Sequence, residues 1–221
     1  MRSQTITSNQ SIQQTLATNK LIKNTYTLLA LTLLFSAATA SLAVAINMPH
    51  LGMLVTLGGF FGLMFAVNKT QESAWGLFWV FMLTGFMGLT LGPLVSHYLS
   101  LPNGSRTVAV AMGGTGAIFL GLSGYALTTR KDFSFMGGFI MAGVLVAFLA
   151  GIGAAIFQIP ALSLGVSAMF ILLMSGMILW ETSNMVHGGE TNYISATVSL
   201  YVSIYNLFVS LLQILGFMGD D

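Results

Sequence analysis

The chain has 221 residues, 55% of them hydrophobic and only 6% charged, with no cysteine. A soluble domain carries about 25% charged residues, so this composition excludes an ordinary soluble domain and defines a membrane protein. A net charge of +1 points away from a nucleic-acid partner and from an acidic tail, and the missing cysteines exclude a disulfide framework, a thiolate nucleophile and a cysteine metal site.

Residues 1–24 are polar, rich in Ser, Thr, Gln and Asn, with Arg2, Lys20 and Lys23. They are too long and too polar for the leading region of a signal peptide, and the apolar run that follows exceeds the usual signal core. A cytoplasmic tail is expected there, disordered or carrying a short helix with Ile12, Leu16 and Lys20 on one face. From residue 25 to 218 the chain reads as an all-α integral membrane domain. Spans are expected near residues 26–46, 51–67, 75–95, 108–127, 133–157, 161–180 and 194–217, each close to the ~20 residues a bilayer requires. The short connections predict antiparallel packing of consecutive helices. Residues 219–221 form a short terminus.

Orientation follows from basic residues in the loops. With a cytoplasmic N-terminus, the inner side carries Arg2, Lys20, Lys23, Lys69, Arg130 and Lys131, and the outer side only Arg106. An odd number of spans then leaves the C-terminus on the outer face. The pairs Gly58-x-x-x-Gly62 and Gly88-x-x-x-Gly92 are expected to let helices approach closely. Gly113-Gly-Thr-Gly116 lies within a span and lacks a following Lys-Ser or Lys-Thr, so it is not a phosphate loop. Of the Asn-x-Ser/Thr triplets only that at Asn103 falls on the outer side.

The last span is the most patterned. Ser195, Ser199, Ser203, Asn206, Ser210 and Gln213 recur at spacings of three and four, which places them in one arc of about 80°. Lipid does not accept such a stripe, so the last helix is expected at the centre of the bundle. Two readings stay open: hydroxyls and amides that join helices, or the lining of a polar path. Glu181 is the first carboxylate after the sixth apolar run, at the expected inner edge of the membrane, where it is either a solvated helix-end charge or a partly desolvated gating group. Lys69 is expected at the same depth and is a candidate partner. His187 and Glu190 lack further ligands on the same side, since His50 and His97 belong to the other, so no metal and no cofactor is expected. With Asp132 in a loop and no Gly-x-Ser-x-Gly or Ser-His-Asp pattern, an enzyme is not expected.

The stretch Trp180-Glu-Thr-Ser-Asn-Met-Val-His-Gly-Gly-Glu-Thr-Asn-Tyr-Ile194, continued by Ser199-Leu-Tyr-Val-Ser-Ile-Tyr-Asn-Leu-Phe-Val-Ser-Leu-Leu212, resembles the Bax inhibitor family of membrane proteins, and within it the bacterial YccA-like branch. Lys23-Asn-Thr-Tyr26, Leu91-Gly-Pro-Leu94 and Thr128-Thr-Arg-Lys-Asp-Phe-Ser-Phe-Met-Gly-Gly138 carry the same likeness, so it covers nearly the whole chain. The resemblance implies a seven-helix bundle with the last helix central, in a bacterial inner membrane. It implies a partner, the membrane-anchored ATP-dependent protease FtsH, which proteins of this branch modulate and which degrades them slowly. Many relatives carry one aspartate late in the sixth helix and one in the seventh, a pair associated with a proton-sensitive cation leak. The matching positions here are Glu181 and Ser203. A serine does not titrate, so the resemblance leaves a pH-gated calcium leak as the alternative function, with half of its sensor missing.

Overall fold

The computed structural model describes residues 2–218, with side chains from Thr15 onward. It consists of α1 (Arg2–Ala45), α2 (Met53–Thr70), α3 (Trp75–Leu99), α4 (Gly104–Thr129), a 3-10 turn (Ser134–Met136), α5 (Gly137–Phe157), α6 (Pro160–His187) and α7 (Tyr193–Met218). Among the described residues, seven helices are long and apolar enough to cross a membrane, and the protein is an all-α multi-pass bundle. The polar residues 15–24, expected as part of a separate tail, are helical and run straight into the first span. The face proposed for Ile12 and the terminal residues 219–221 lie outside the described side chains.

α7 is the central helix. It packs against α1, α3, α4 and α6, and half of its most apolar stretch is buried, the largest share of the seven spans. Leu200, Tyr201, Leu207 and Leu212 are sealed on it. α2 and α5 sit at the flanks: α2 leans on α3, and α5 on α6. Consecutive helices are therefore not always neighbours. α1 lies along α3 rather than α2, and α4 lies against α6 and α7 rather than α5.

Glycine explains the α1–α3 pairing. A Cβ at Gly88 would fall 2.1 Å from Thr39 Oγ1 and 2.3 Å from the Ser36 carbonyl oxygen, and one at Gly92 would fall 2.4 Å from Ala43 Cβ. Only the missing side chains let these backbones approach, as the Gly88-x-x-x-Gly92 spacing predicts. The Gly58-x-x-x-Gly62 pair behaves otherwise: neither glycine has an atom within 4 Å of where its Cβ would be. It joins no helices in this chain.

The largest boundary difference concerns α6. Hydropathy falls after Trp180, but the helix continues to His187 and ends at Gly188, whose φ of 80° is one that glycine adopts without a Cβ penalty. The amide of Gly189 bonds the Asn184 carbonyl at 2.9 Å and closes the helix end. Glu181 thus lies within the helix, more than a turn from its end.

A buried carboxyl between the sixth and seventh helices

Glu181 is 4% exposed, so of its two readings the solvated helix-end charge does not hold and the carboxyl is desolvated. Its Oε2 accepts a hydrogen bond from Ser199 Oγ at 3.0 Å, and its Oε1 has no hydrogen-bond partner. Lys69 is exposed at the end of α2, a helix that leans on α3, and makes no ion pair with Glu181. The expected partnership is absent because α2 flanks the bundle instead of entering it.

Ser203, the residue at the second matched position, is 1% exposed and turns its hydroxyl back to the Ser199 carbonyl at 2.8 Å. Its neighbour one turn earlier, Ser199, is the one that reaches the carboxyl. Asn206 likewise donates to the Val202 carbonyl at 2.8 Å within its own helix, and Ser210 is buried. Towards the far end, Gln213 Oε1 accepts from Ser167 Oγ at 2.7 Å while its amide nitrogen donates to Ser163 Oγ. Ser195 Oγ, at the other end, donates to Glu190 Oε2 at 2.7 Å. The stripe therefore meets α6 at Ser199 and Gln213 and the α6–α7 loop at Ser195, while Ser203 and Asn206 bond α7's own backbone, a common way of accommodating buried hydroxyls and amides.

The loop between the two helices is a capping device. Asn192 Oδ1 accepts from the amides of Ile194 at 2.8 Å and Ser195 at 3.3 Å, and so closes the N-terminus of α7. Its Nδ2 donates to the Gln71 carbonyl at 3.1 Å and to Glu72 Oε1 at 3.3 Å. Glu190 Oε1 accepts from the amides of Thr191 at 2.7 Å and Asn192 at 2.6 Å. These contacts bring the α2–α3 turn and the α6–α7 loop to one end of the bundle. Arg130 and Lys131 lie at the same end, since His187 Nε2 sits 3.1 Å from the Arg130 carbonyl. Among the described residues, no three His, Cys, Asp or Glu side chains gather into a group that could hold a metal ion.

The opposite side of α7 carries polar ties that the stripe does not reveal. The Tyr201 hydroxyl lies 2.7 Å from Ser36 Oγ and donates to the Thr84 carbonyl at 3.2 Å. The Tyr205 hydroxyl lies 3.3 Å from Thr90 Oγ1, and Thr197 Oγ1 reaches the Thr25 carbonyl at 3.2 Å. These fasten α7 to α1 and α3. The sequence signal was present but masked, because a tyrosine counts as apolar in a span while its hydroxyl still requires a partner.

Fold and site together define a polytopic helical membrane protein whose central helix is joined to its neighbours by buried hydroxyls and one buried carboxyl. A profile of the family described as "Inhibitor of apoptosis-promoting Bax1" matches residues 18–220, and the chain belongs to that family, the Bax inhibitor family. It is 50% identical over 216 residues, 98% of both chains, to "Modulator of FtsH protease YccA" of Escherichia coli strain K12. The same identity and coverage relate it to "Inner membrane protein YccA" of E. coli O6:H1. A Pseudomonas aeruginosa protein is 50% identical over 221 residues, the full length of both chains.

Proposed function

We propose that the protein is an inner-membrane regulator that binds and modulates the membrane-anchored, ATP-dependent protease FtsH, and that it is also a slow substrate of that protease. The observation that carries this reading is the 50% identity, over 98% of both chains, to the E. coli modulator. The architecture is compatible with it. Nearly all the described chain lies in helices of membrane-spanning length joined by short turns, so a partner must be engaged largely within the membrane. The polar N-terminal residues, on the cytoplasmic side, are the handle for an unfoldase. The role is regulatory rather than enzymatic.

Topology belongs to the same proposal. Lys69, Arg130 and Lys131 share one end with the α6–α7 loop, while Arg106 is at the start of α4. By the positive-inside rule the basic end is cytoplasmic and the C-terminus periplasmic. The test is affinity purification of the protein at its native level from bacterial membranes, with identification of the proteins retained. FtsH is the expected component, and its reproducible absence under mild detergent would contradict the proposal.

A second reading, a pH-sensitive calcium leak, draws on the buried Glu181 carboxyl and its partnerless oxygen. It ranks lower because the stripe hydroxyls are engaged in helix–helix and helix–backbone bonds and because Ser203 supplies no second acid. Calcium flux in liposomes separates the two. Little pH-dependent flux is expected; strong acid-gated flux that disappears in Glu181→Gln would reverse the ranking.

A further inference from the structure

The last turn of α6 is fastened to the segment between α4 and α5 by an arrangement with one unusual requirement. His187 Nδ1 lies 2.9 Å from the Ser183 carbonyl oxygen, and Nε2 lies 3.1 Å from the Arg130 carbonyl oxygen. Neither carbonyl can donate. Both ring nitrogens must therefore carry hydrogen for both bonds to exist, and only the charged imidazolium does. The two oxygens sit at the C-terminal ends of α6 and α4, where the helix dipoles favour a positive charge.

Ser183 links the ring to the backbone beyond. Its hydroxyl donates to the Lys131 carbonyl at 3.2 Å and accepts the Phe133 amide at 2.9 Å. It also lies 3.3 Å from His187 Nδ1. With the ring charged, Nδ1–H serves the Ser183 carbonyl and the Ser183 hydroxyl is free to hold Lys131. With the ring neutral and its proton on Nε2, bare Nδ1 faces that carbonyl and competes for the hydroxyl. With the proton on Nδ1, the Arg130 bond is lost. Either neutral form gives up one hold on residues 130–131.

The charged groups around this junction are mixed. Arg130 and Lys131 on the clamped segment oppose a cation, and Asp132 beside them favours it. Glu181 lies farther up α6 and Glu190 in the following loop. Lys20 and Lys23 of α1 and Glu72 of the α2–α3 turn lie on elements at the same end. His187 itself is exposed, so a proton reaches it from water.

We propose that this junction is a proton-operated clamp, closed on the α4–α5 segment when the His187 ring carries both protons and loosened when it releases one. It stands on the geometry of the ring and does not depend on the identity of any partner. The two states differ by one proton on the ring, so the clamp needs neither a cofactor nor a bound ion to operate it.

The test uses the full-length protein in lipid nanodiscs, with ¹⁵N-labelled histidine and amide hydrogen exchange followed from pH 5.5 to 8.5. At the acid end both His187 ring nitrogens should report as protonated. As the ring titrates, the protection factor of the Phe133 amide, corrected for intrinsic rate, should drop roughly tenfold, the scale of one charge-assisted hydrogen bond. His187→Gln should leave that protection independent of pH. A single neutral tautomer at pH 5.5, or Phe133 protection unchanged across the wild-type titration, would overturn the proposal, and the wild-type measurement decides it even if the variant fails to fold.

Discussion

Ser199 Oγ donates to Glu181 Oε2 at 3.0 Å across the α6–α7 interface, and no other hydrogen bond reaches the carboxyl of this glutamate. Burial makes that single bond consequential, because a polar group left without its partner in a dry interface loses its solvation and gains nothing in return. Ser199→Ala should destabilise the protein by about 1–3 kcal/mol. Ser199→Thr should retain most of the stability. Thermal unfolding in a mild detergent checks both, and equal stability of Ser199→Ala and wild type would mean that water replaces the serine.

Tyr201 is expected to matter more than Tyr205. Its hydroxyl joins Ser36 on α1 and the Thr84 carbonyl on α3, whereas that of Tyr205 has the single, longer contact to Thr90. Interhelical hydrogen bonds in bilayers contribute on average about 0.6 kcal/mol, with a maximum near 1.7 kcal/mol. Tyr201→Phe should fall in the upper part of that range and Tyr205→Phe in the lower. Reversible unfolding from bilayers or mixed micelles provides the comparison.

The two small-residue pairs should respond oppositely to a methyl group. Gly88→Ala places a carbon against Thr39 and the Ser36 carbonyl, with backbone on one side that cannot yield, and should cost about 1–3 kcal/mol or prevent assembly. Gly62→Ala meets nothing within 4 Å and should leave the monomer's stability unchanged. Expression level and melting temperature of the two variants check this.

How far these sites could be read from the residues varies with the physics behind them. Seven helices follow from hydropathy, and the central place of α7 follows from six polar side chains in one arc. The end of α6 does not, because Glu181, Thr182, Ser183 and Asn184 lower the hydropathy while remaining compatible with a helix that stops only at Gly188. The partner of Glu181 was one turn from the residue indicated by family resemblance, since that resemblance gives a position in the chain and not a rotamer. Lys69 lies near the α2–α3 turn, which meets the α6–α7 loop, but on a helix that flanks the bundle. Nothing in the spacing of α1 to α3 says that α1 skips its successor; the glycines of α3 do, once both helices are seen together.

Acid should act on the α4–α5 segment in a second way. Asp132 lies outside the spans, and the Ser134 hydroxyl and then the Ser134 amide, bonded to Oδ1 at 2.5 and 2.8 Å, hold its carboxyl below the usual carboxylate range. A lowered folded-state value means that the turn's stabilisation is present above the ordinary carboxylate range and is lost as pH falls through the depressed value. Ser134 amide protection should therefore hold through mild acid and fall only in strong acid. In Asp132→Asn it should be weaker at neutral pH and insensitive to acid.

The most direct measurement of the central claim is the rate at which FtsH degrades a membrane substrate in proteoliposomes, with and without this protein at near-stoichiometric amount. Degradation is expected to slow as the protein is added, with the protein itself disappearing more slowly than the substrate. An unchanged substrate half-life, with both proteins correctly inserted and FtsH active on the substrate alone, would contradict its role as a modulator of that protease.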